Sequence, residues 1–494
     1  MKSRRFTYGE RHSGRGRKSP LGEHNHRKPQ RKTAFICKVS KSKNTSTLSR
    51  SLPLPASSLL LLPASRTPKM NECVAIEDMV QIAFDNFISD DGQGLRDVAA
   101  FWSHSSKIIA SLDLDGDVQD NGKTLAQLTA LRNYTAKFIE QFDPADFSKS
   151  FLALTKIFAT LTSTRNGVRD RDDVNLFRSI LVDSEDQPNE NPFQFFVYAS
   201  MSLLPKLTPR DMACGSYALS LLSWTPSLKD GIILLDAMSS EVVSRVKQFD
   251  SRSLSRILFD VAKSGQPQPQ LFSVVGGYLC DLDATRFAPG EMANILFAYA
   301  TAHEKNSTIF QNIADAVSAQ YSSSTRLSWF KPADLSTIMW SFARAGELQS
   351  DDFQRKMLNA LVSKLAKVHE AFGLLEMSDI IWALSKSPSN QSTLTTKIAT
   401  RINLDARLGG YGATSLATFL WTCCQSNAHI EELFCQDSHL MTACLEKKDE
   451  FTDDELGKLY SFDLWQQELS CVGLPSELHD KCFEAHLLPS NLLD

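Results

Sequence analysis

At 494 residues, with 42% hydrophobic and 22% charged positions, the composition is that of folded domains and excludes global disorder or a collagen-like chain. The longest leucine run, Leu59 to Leu62, is far short of a membrane-spanning helix, and ten cysteines without a CxxC pair make no disulfide framework, which points to a reducing compartment. The net charge of −4 hides a split: residues 1–70 hold 17 Lys/Arg against Glu10 and Glu23, leaving 36 basic and 55 acidic residues in 71–494, a net of −19.

Residues 1–70 are basic, rich in hydroxyls and without the apolar periodicity needed to pack. That composition fits a transit segment for import into a mitochondrion or a plastid, the mitochondrion being slightly preferred. Leu52 to Ala64 is too short and too interrupted by proline to make a good secretory core. Two alternatives stay open: a basic tail that touches RNA nonspecifically, or a true start at Met70. Residues 71–207 read as an irregular helical cap. Within it, Pro144-Ala-Asp146-Phe147-Ser-Lys-Ser-Phe-Leu152 repeats the start signature found further along the chain and reads as a degenerate first unit, and a polar stretch at 164–191 reads as a loop or insertion.

From 208 to 470 the chain repeats. The block Leu254-Ser-Arg-Ile-Leu-Phe-Asp-Val-Ala-Lys263 returns at Met292, Leu335, Met377 and Leu416, with looser copies at Met212 and Leu456. The first residues of these seven blocks are 42, 38, 43, 42, 39 and 40 positions apart. Numbering each block from 0, the apolar positions are 0, 3, 4, 7 and 8, one face of an α-helix. Position 5 is aromatic (Phe259, Phe297, Trp340, Trp382, Trp421) and lies off that face, as expected of a helix held between two neighbours. Position 1 is Ser, Ala or Gly, small enough for a close crossing.

Thr208-Pro209-Arg-Asp211, Ala288-Pro289-Gly-Glu291 and Lys331-Pro332-Ala-Asp334 put proline in the first turn and an acid before the apolar run, a helix N-terminus. A second amphipathic stretch follows each block, as at Phe310, Ile313, Ala314 and Val317, or Phe353, Met357, Leu358, Leu361 and Leu365. The expected fold is all-α, an α-solenoid of two-helix repeats of about 40 residues.

A search for chemistry finds no phosphate-binding glycine loop, no H-E-x-x-H and no G-x-S-x-G elbow. Asp113-Leu-Asp115-Gly-Asp117 fails as a calcium loop because Val118 and Thr124 stand where glycine and glutamate are needed. Cys435, His439 and Cys444 have no common zinc spacing, and Cys423 and Cys424 fall on a buried helix face. Neither a metal nor a cofactor is expected, nor an enzyme; the chain reads as a binding surface.

The repeated [LM]-[SA]-x-I-[LMI]-[WF]-[AS]-[YFL]-[AS] core resembles the helical repeats of RAP-domain proteins, including the FAST-kinase-like mitochondrial proteins and the octotricopeptide-repeat proteins. The stretch from Leu456 through Tyr460, Trp465 and Leu474-Pro475 to Cys482-Phe-Glu-Ala485 looks like the lead-in to a RAP domain, so residues 471–494 are read as that tail. The RAP domain itself is expected to be missing, the sequence stopping at Asp494, either because this is a truncated form of a RAP-domain RNA-processing factor or because the repeats work alone. The resemblance implies binding of single-stranded organellar RNA in its processing, stability or translation, with the ribosome or RNA-processing proteins as further partners. Arg256, Lys263, Asn294, Arg344, Lys386 and Lys458, at positions 2 and 9 of the blocks, are the candidate RNA-binding residues. Ordinary solvated helix positions would look the same, and an α-solenoid protein–protein scaffold is the rival, one for which a net acidic chain is no handicap.

Overall fold

The structure, a computed structural model, describes residues 79–83, 95–110, 121–162, 194–222, 229–304, 306–321, 330–347, 372–386, 392–435 and 437–486. The basic segment 1–70, the Asp113–Asp117 turn, the insertion at 164–191 and the amphipathic stretch at 353–365 lie outside the described residues.

The helices are α1 Leu95–Ala110, α2 Asn121–Phe138, α3 Pro144–Thr162, α4 Gln194–Leu203, α5 Pro209–Leu221, α6 Lys229–Ser244, α7 Ser251–Ser264, α8 Pro269–Cys280 and α9 Pro289–Ala302. They continue as α10 Ser307–Tyr321, α11 Pro332–Ala345, α12 Leu374–Ser385, α13 Ser392–Arg407, α14 Ala413–Ser426, α15 Glu431–Phe434, α16 His439–Glu446, α17 Asp453–Glu468 and α18 Ser476–His486. Among the described residues there is no strand.

The block helices begin where the start signatures put them. Thr208 caps α5 by accepting from the Asp211 N–H at 3.3 Å, and the Asp211 carboxylate takes the Thr208 N–H at 3.2 Å. On α9 and α11 the cap residues Ala288 and Lys331 have no side-chain acceptor to offer, so only the returning acid remains. Glu291 accepts from Ala288 N–H at 3.2 Å and Asp334 from Lys331 N–H at 3.0 Å. Gly265 and Gly346 end α7 and α11 in the left-handed region, at φ 68° and 74°.

Two layers result. In the first, α1, α3, α5, α7, α9, α11, α12, α14 and α17 pack each on the next. In the second, α4, α6, α8 and α10 do the same, and further along α13 packs on α15 and α16, and α16 on α18. This is an α-solenoid, with one apolar core running from Met79 to Ala485 between the layers. Positions 0, 3 and 4 of the blocks point into it. Leu254, Ile257 and Leu258, like Leu335 and Ile338, are at most 1% exposed, each such side chain contributing about 1.5–3 kcal/mol by burial. Ser255, Ala293, Ser336, Ser378 and Ala417 at position 1 are buried where first-layer helices cross. The regular stacking also extends upstream of residue 208: α3 starts at Pro144 and packs on α5, and α1 packs on α3.

The second layer is pinned to the first by polar as well as apolar contacts. Tyr299 of α9 donates to the Phe272 carbonyl of α8 at 2.6 Å, with its ring edge-on to Phe272. Gly276 makes room for that hydroxyl, since a methyl group there would meet Tyr299 Oη and Asn306 Nδ2 at 2.6 Å, while one on neighbouring Gly277 meets nothing. The two glycines should therefore respond with opposite signs. Gly277→Ala is expected to raise stability by up to about 1 kcal/mol through helix propensity, and Gly276→Ala to lower it by about 1–2 kcal/mol through overpacking. Thermal melts of both variants check this.

Candidate functional site

Positions 2, 5 and 9 of a block fall within about 60° of one another at 100° per residue, on the side of the helix away from position 0. Aligned across the first layer they form one continuous edge. Its spine is a ladder of rings from position 5: Phe259 to Phe297 at 4.8 Å between centroids, Phe297 to Trp340 at 5.4 Å and Trp340 to Trp382 at 5.9 Å. Trp421 holds the same position on α14. The rings lie against one another at tilted or stacked angles, so neighbouring rungs take up each other's faces. A planar base has no slot between rungs, which leaves ring edges and the flanking cations to meet a ligand.

Before Phe259 the ladder continues through a cation. The Arg256 guanidinium lies 3.7 Å from the centroid of Tyr217, the position-5 ring of α5, and 5.4 Å from Phe259. It is held there by Asp260, which accepts from Nε at 2.7 Å and Nη2 at 2.6 Å. Asp260 is fully buried and also accepts from Ser216 Oγ of α5 at 3.1 Å. Burial pushes the Asp260 carboxyl above the usual carboxylate range, against the pull of Arg256 and of the Ser220 and Ser216 hydroxyls. Arg256 thus serves as a rung that ties α5 to α7.

The other sequence-predicted residues sit along the same edge with different surroundings. Lys263 is exposed, its Nζ 5.7 Å from the Phe259 ring, and Lys386 is exposed, 5.6 Å from Trp382. Arg344 is exposed and its Nη2 lies 3.2 Å from His303 Nε2. Asn294 is half-buried beside the ladder. Lys458 is paired with Asp454 one turn before it.

Sequence reasoning missed three members of the edge. Tyr217 is position 5 of the Met212 block, and Lys149 and Lys156 are positions 2 and 9 of α3 once Phe147 is taken as position 0, a phase that Asp143-Pro144 would have set. Lys156 reaches the neighbouring helix, 5.6 Å from the Tyr217 ring. At positions 2, 5 and 9 from α3 to α17, Lys149, Lys156, Arg256, Lys263, Arg344, Lys386 and Lys458 are basic and Asp379 alone is acidic.

Among the described residues no group of three or more His, Cys, Asp or Glu side chains could hold a metal ion. Cys444 and Cys482 are buried thiols pushed up to about 12 by desolvation, which makes them small hydrophobes rather than nucleophiles. No helix among the described residues is long and apolar enough to cross a membrane.

No known protein-family profile matches the chain, and no curated protein matches it. Among solved structures it is similar to a chain of a homology model of the full-length AP-3 complex in an intermediate open conformation. The identity is 10%, over 85% of this chain and 73% of that one, with a TM-score of 0.23. The class of protein follows from the packing itself: a two-layer helical-repeat array.

Proposed function

We propose that the array binds single-stranded RNA along the edge formed by positions 2, 5 and 9, holding the strand rather than cleaving or modifying it. The observation that carries this reading is the sign of the edge. Seven of its residues are basic and one acidic, in a stretch whose overall charge is −19, and a polyanion is attracted by the local field rather than by the total. Rings stacked on one another offer edges and not open faces, so the contacts fit a backbone tracked by Lys and Arg more than bases read by intercalation. The resemblance to organellar repeat proteins supports the same reading. It implies a mitochondrial or plastid setting, with residues 1–70 as the import segment and the ribosome or RNA-processing factors as neighbours.

The test is fluorescence anisotropy of the full chain on a mixed-sequence single-stranded RNA, across a salt series. The triple variant Lys156→Glu, Arg344→Glu, Lys386→Glu should keep its melting temperature, since all three side chains lie outside the apolar core. It should lose about tenfold or more in affinity, with a salt slope shallower by about 2, at about 0.7 per phosphate contact. An unchanged slope overturns the proposal.

A second reading, a protein scaffold, has its own observation. Tyr198 and Met201 of α4 and Ile232 and Ile233 of α6 are exposed on adjacent second-layer helices, at 57%, 38%, 39% and 56%. Exposed apolar side chains on adjacent helices suit a protein partner. In that case the triple variant would bind RNA as the wild type does, whereas Tyr198→Ser with Ile233→Ser would abolish partner capture.

A further inference from the structure

The burial pattern of α1 is that of a block. Val98, Phe101, Trp102, Ser105 and Ser106 are all buried, at the spacing of positions 0, 3, 4, 7 and 8, and Asp97 stands just before Val98 as Asp211, Glu291 and Asp334 stand before theirs. In this phase Ala100 is position 2, Ser103 is position 5 and Lys107 is position 9. The edge therefore continues onto α1, but the ring is replaced by serine there and by Leu152 on α3. The replacement leaves space. A cleft of about 290 Å³ opens between the two helices, floored by Ala99, Ala100 and Ser103 and lined by Arg96, His104, Lys107 and Lys149 with Asp146. Asp146 is the one acid of that lining, and it is already engaged by Lys149 at 2.9 Å and by Arg96 at 3.7 Å. Three permanent cations against one carboxylate leave the cleft net positive by two. Arg96 and Lys107 stand three helical turns apart, about 16 Å along α1, so positive charge faces both ends of a narrow trough.

We propose that this gap in the ladder is a nucleotide site, which seats one phosphorylated nucleotide along the trough, its phosphate toward Lys107 and the rest of it toward Arg96 and Lys149. The lining supports that class of ligand. Long cations donate to phosphate oxygens from several directions, and small side chains at positions 2 and 5 leave room for a sugar and base where elsewhere on the edge a ring is stacked on its neighbour. The site rests on the reading of the edge as an RNA path, and it gives that path a point where one nucleotide is held rather than merely attracted.

The experiment uses the full chain and small probes, so that it does not depend on the rest of the edge. Uridine 5′-monophosphate is titrated by isothermal calorimetry, with uridine as the phosphate-free control. Wild type should bind the monophosphate saturably and at least about tenfold more tightly than uridine. Ala100→Trp, which fills the cleft with a ring, should abolish binding. Lys107→Glu, a change at an exposed position that leaves the packing intact, should weaken it by about tenfold and guards against misfolding of the tryptophan variant. The 5′-hydroxyl dinucleotide UpU separates the phosphate sources: binding equal to the monophosphate assigns the cleft to a backbone phosphate, weaker binding to a strand's terminal phosphate. No binding of either phosphate-bearing probe, or equal titration of wild type and Lys107→Glu, overturns the site. The RNA reading is judged apart from it, by the Lys156, Arg344 and Lys386 charge reversals.

Discussion

Arg256→Ala is expected to destabilise the protein by about 3 kcal/mol and to unfasten α5 from α7. The loss strands the Asp260 carboxylate, fully buried and left with hydroxyl donors alone, and breaking a buried pair from that side costs about 3–5 kcal/mol. The lower end applies because the Arg256 side chain is 30% exposed. Removing the acid should be milder. In Asp260→Ala the guanidinium keeps the Tyr217 ring and can turn its charge toward water, so a cost of about 1–2 kcal/mol is expected. The double variant should be more stable than Arg256→Ala alone, because no charge is then left buried.

The pH dependence follows from the same carboxyl. In Arg256→Ala, burial raises it above its unfolded value with no cation to oppose the rise. A group raised on folding lends stability that is fully present below the unfolded value and is lost as pH rises through the folded one. The gap between variant and wild type should therefore be widest at neutral pH and close in acid. Because long repeat arrays depart from two-state unfolding, the readout is hydrogen exchange across α5 and α7 together with the first thermal transition. Equal costs for the two single variants, or a gap independent of pH, would refute this account.

The fold was legible because the helical period and the repeat period agree. Block positions 0, 3, 4 and 7 predict the core face, and the aromatic at position 5 predicts contact between successive blocks, which the Phe259, Phe297, Trp340 and Trp382 ladder realises. The basic character of position 9 was legible for the same reason. The use made of position 2 was not. The Arg256–Asp260 pair is a four-residue spacing common on solvated helices, and only the structure brings Ser216, 44 residues away, onto the same carboxylate. Nor was the block in α1 readable. Ser105 and Ser106 sit where most of the other blocks carry at least one apolar side chain, and helix α2 with a longer connection breaks the period before α3. Buried serines follow the packing without announcing it in a hydropathy pattern.

A second large effect is expected at the far end of the array, from Asp463→Ala. Asp463 is 1% exposed and its two oxygens close the turn between α17 and α18. One accepts the Leu474 N–H at 2.6 Å; the other takes Gln467 Nε2 and His479 Nδ1, each at 2.8 Å. Gly473 is pressed against the same carboxylate, where a larger residue would collide with it. Alanine would leave the Leu474 N–H without its acceptor in a buried position and free His479 from α17. At about 1–3 kcal/mol for a stranded buried donor, plus the lost charge-assisted bonds, the total is about 3 kcal/mol. The damage should stay local. In a stacked array each unit is supported by its neighbours alone, and among the described residues α18 packs chiefly on the last members of the two layers, α17 and α16. Hydrogen exchange should show α18 opening early while α7, α9 and α11 keep their protection. His479→Ala should cost about 1 kcal/mol, since that ring is 36% exposed and one bond is lost rather than three. Uniform loss of protection along the whole array, or equal effects of the Asp463 and His479 variants, would show that Asp463 is not the point on which the C-terminal helix is hung.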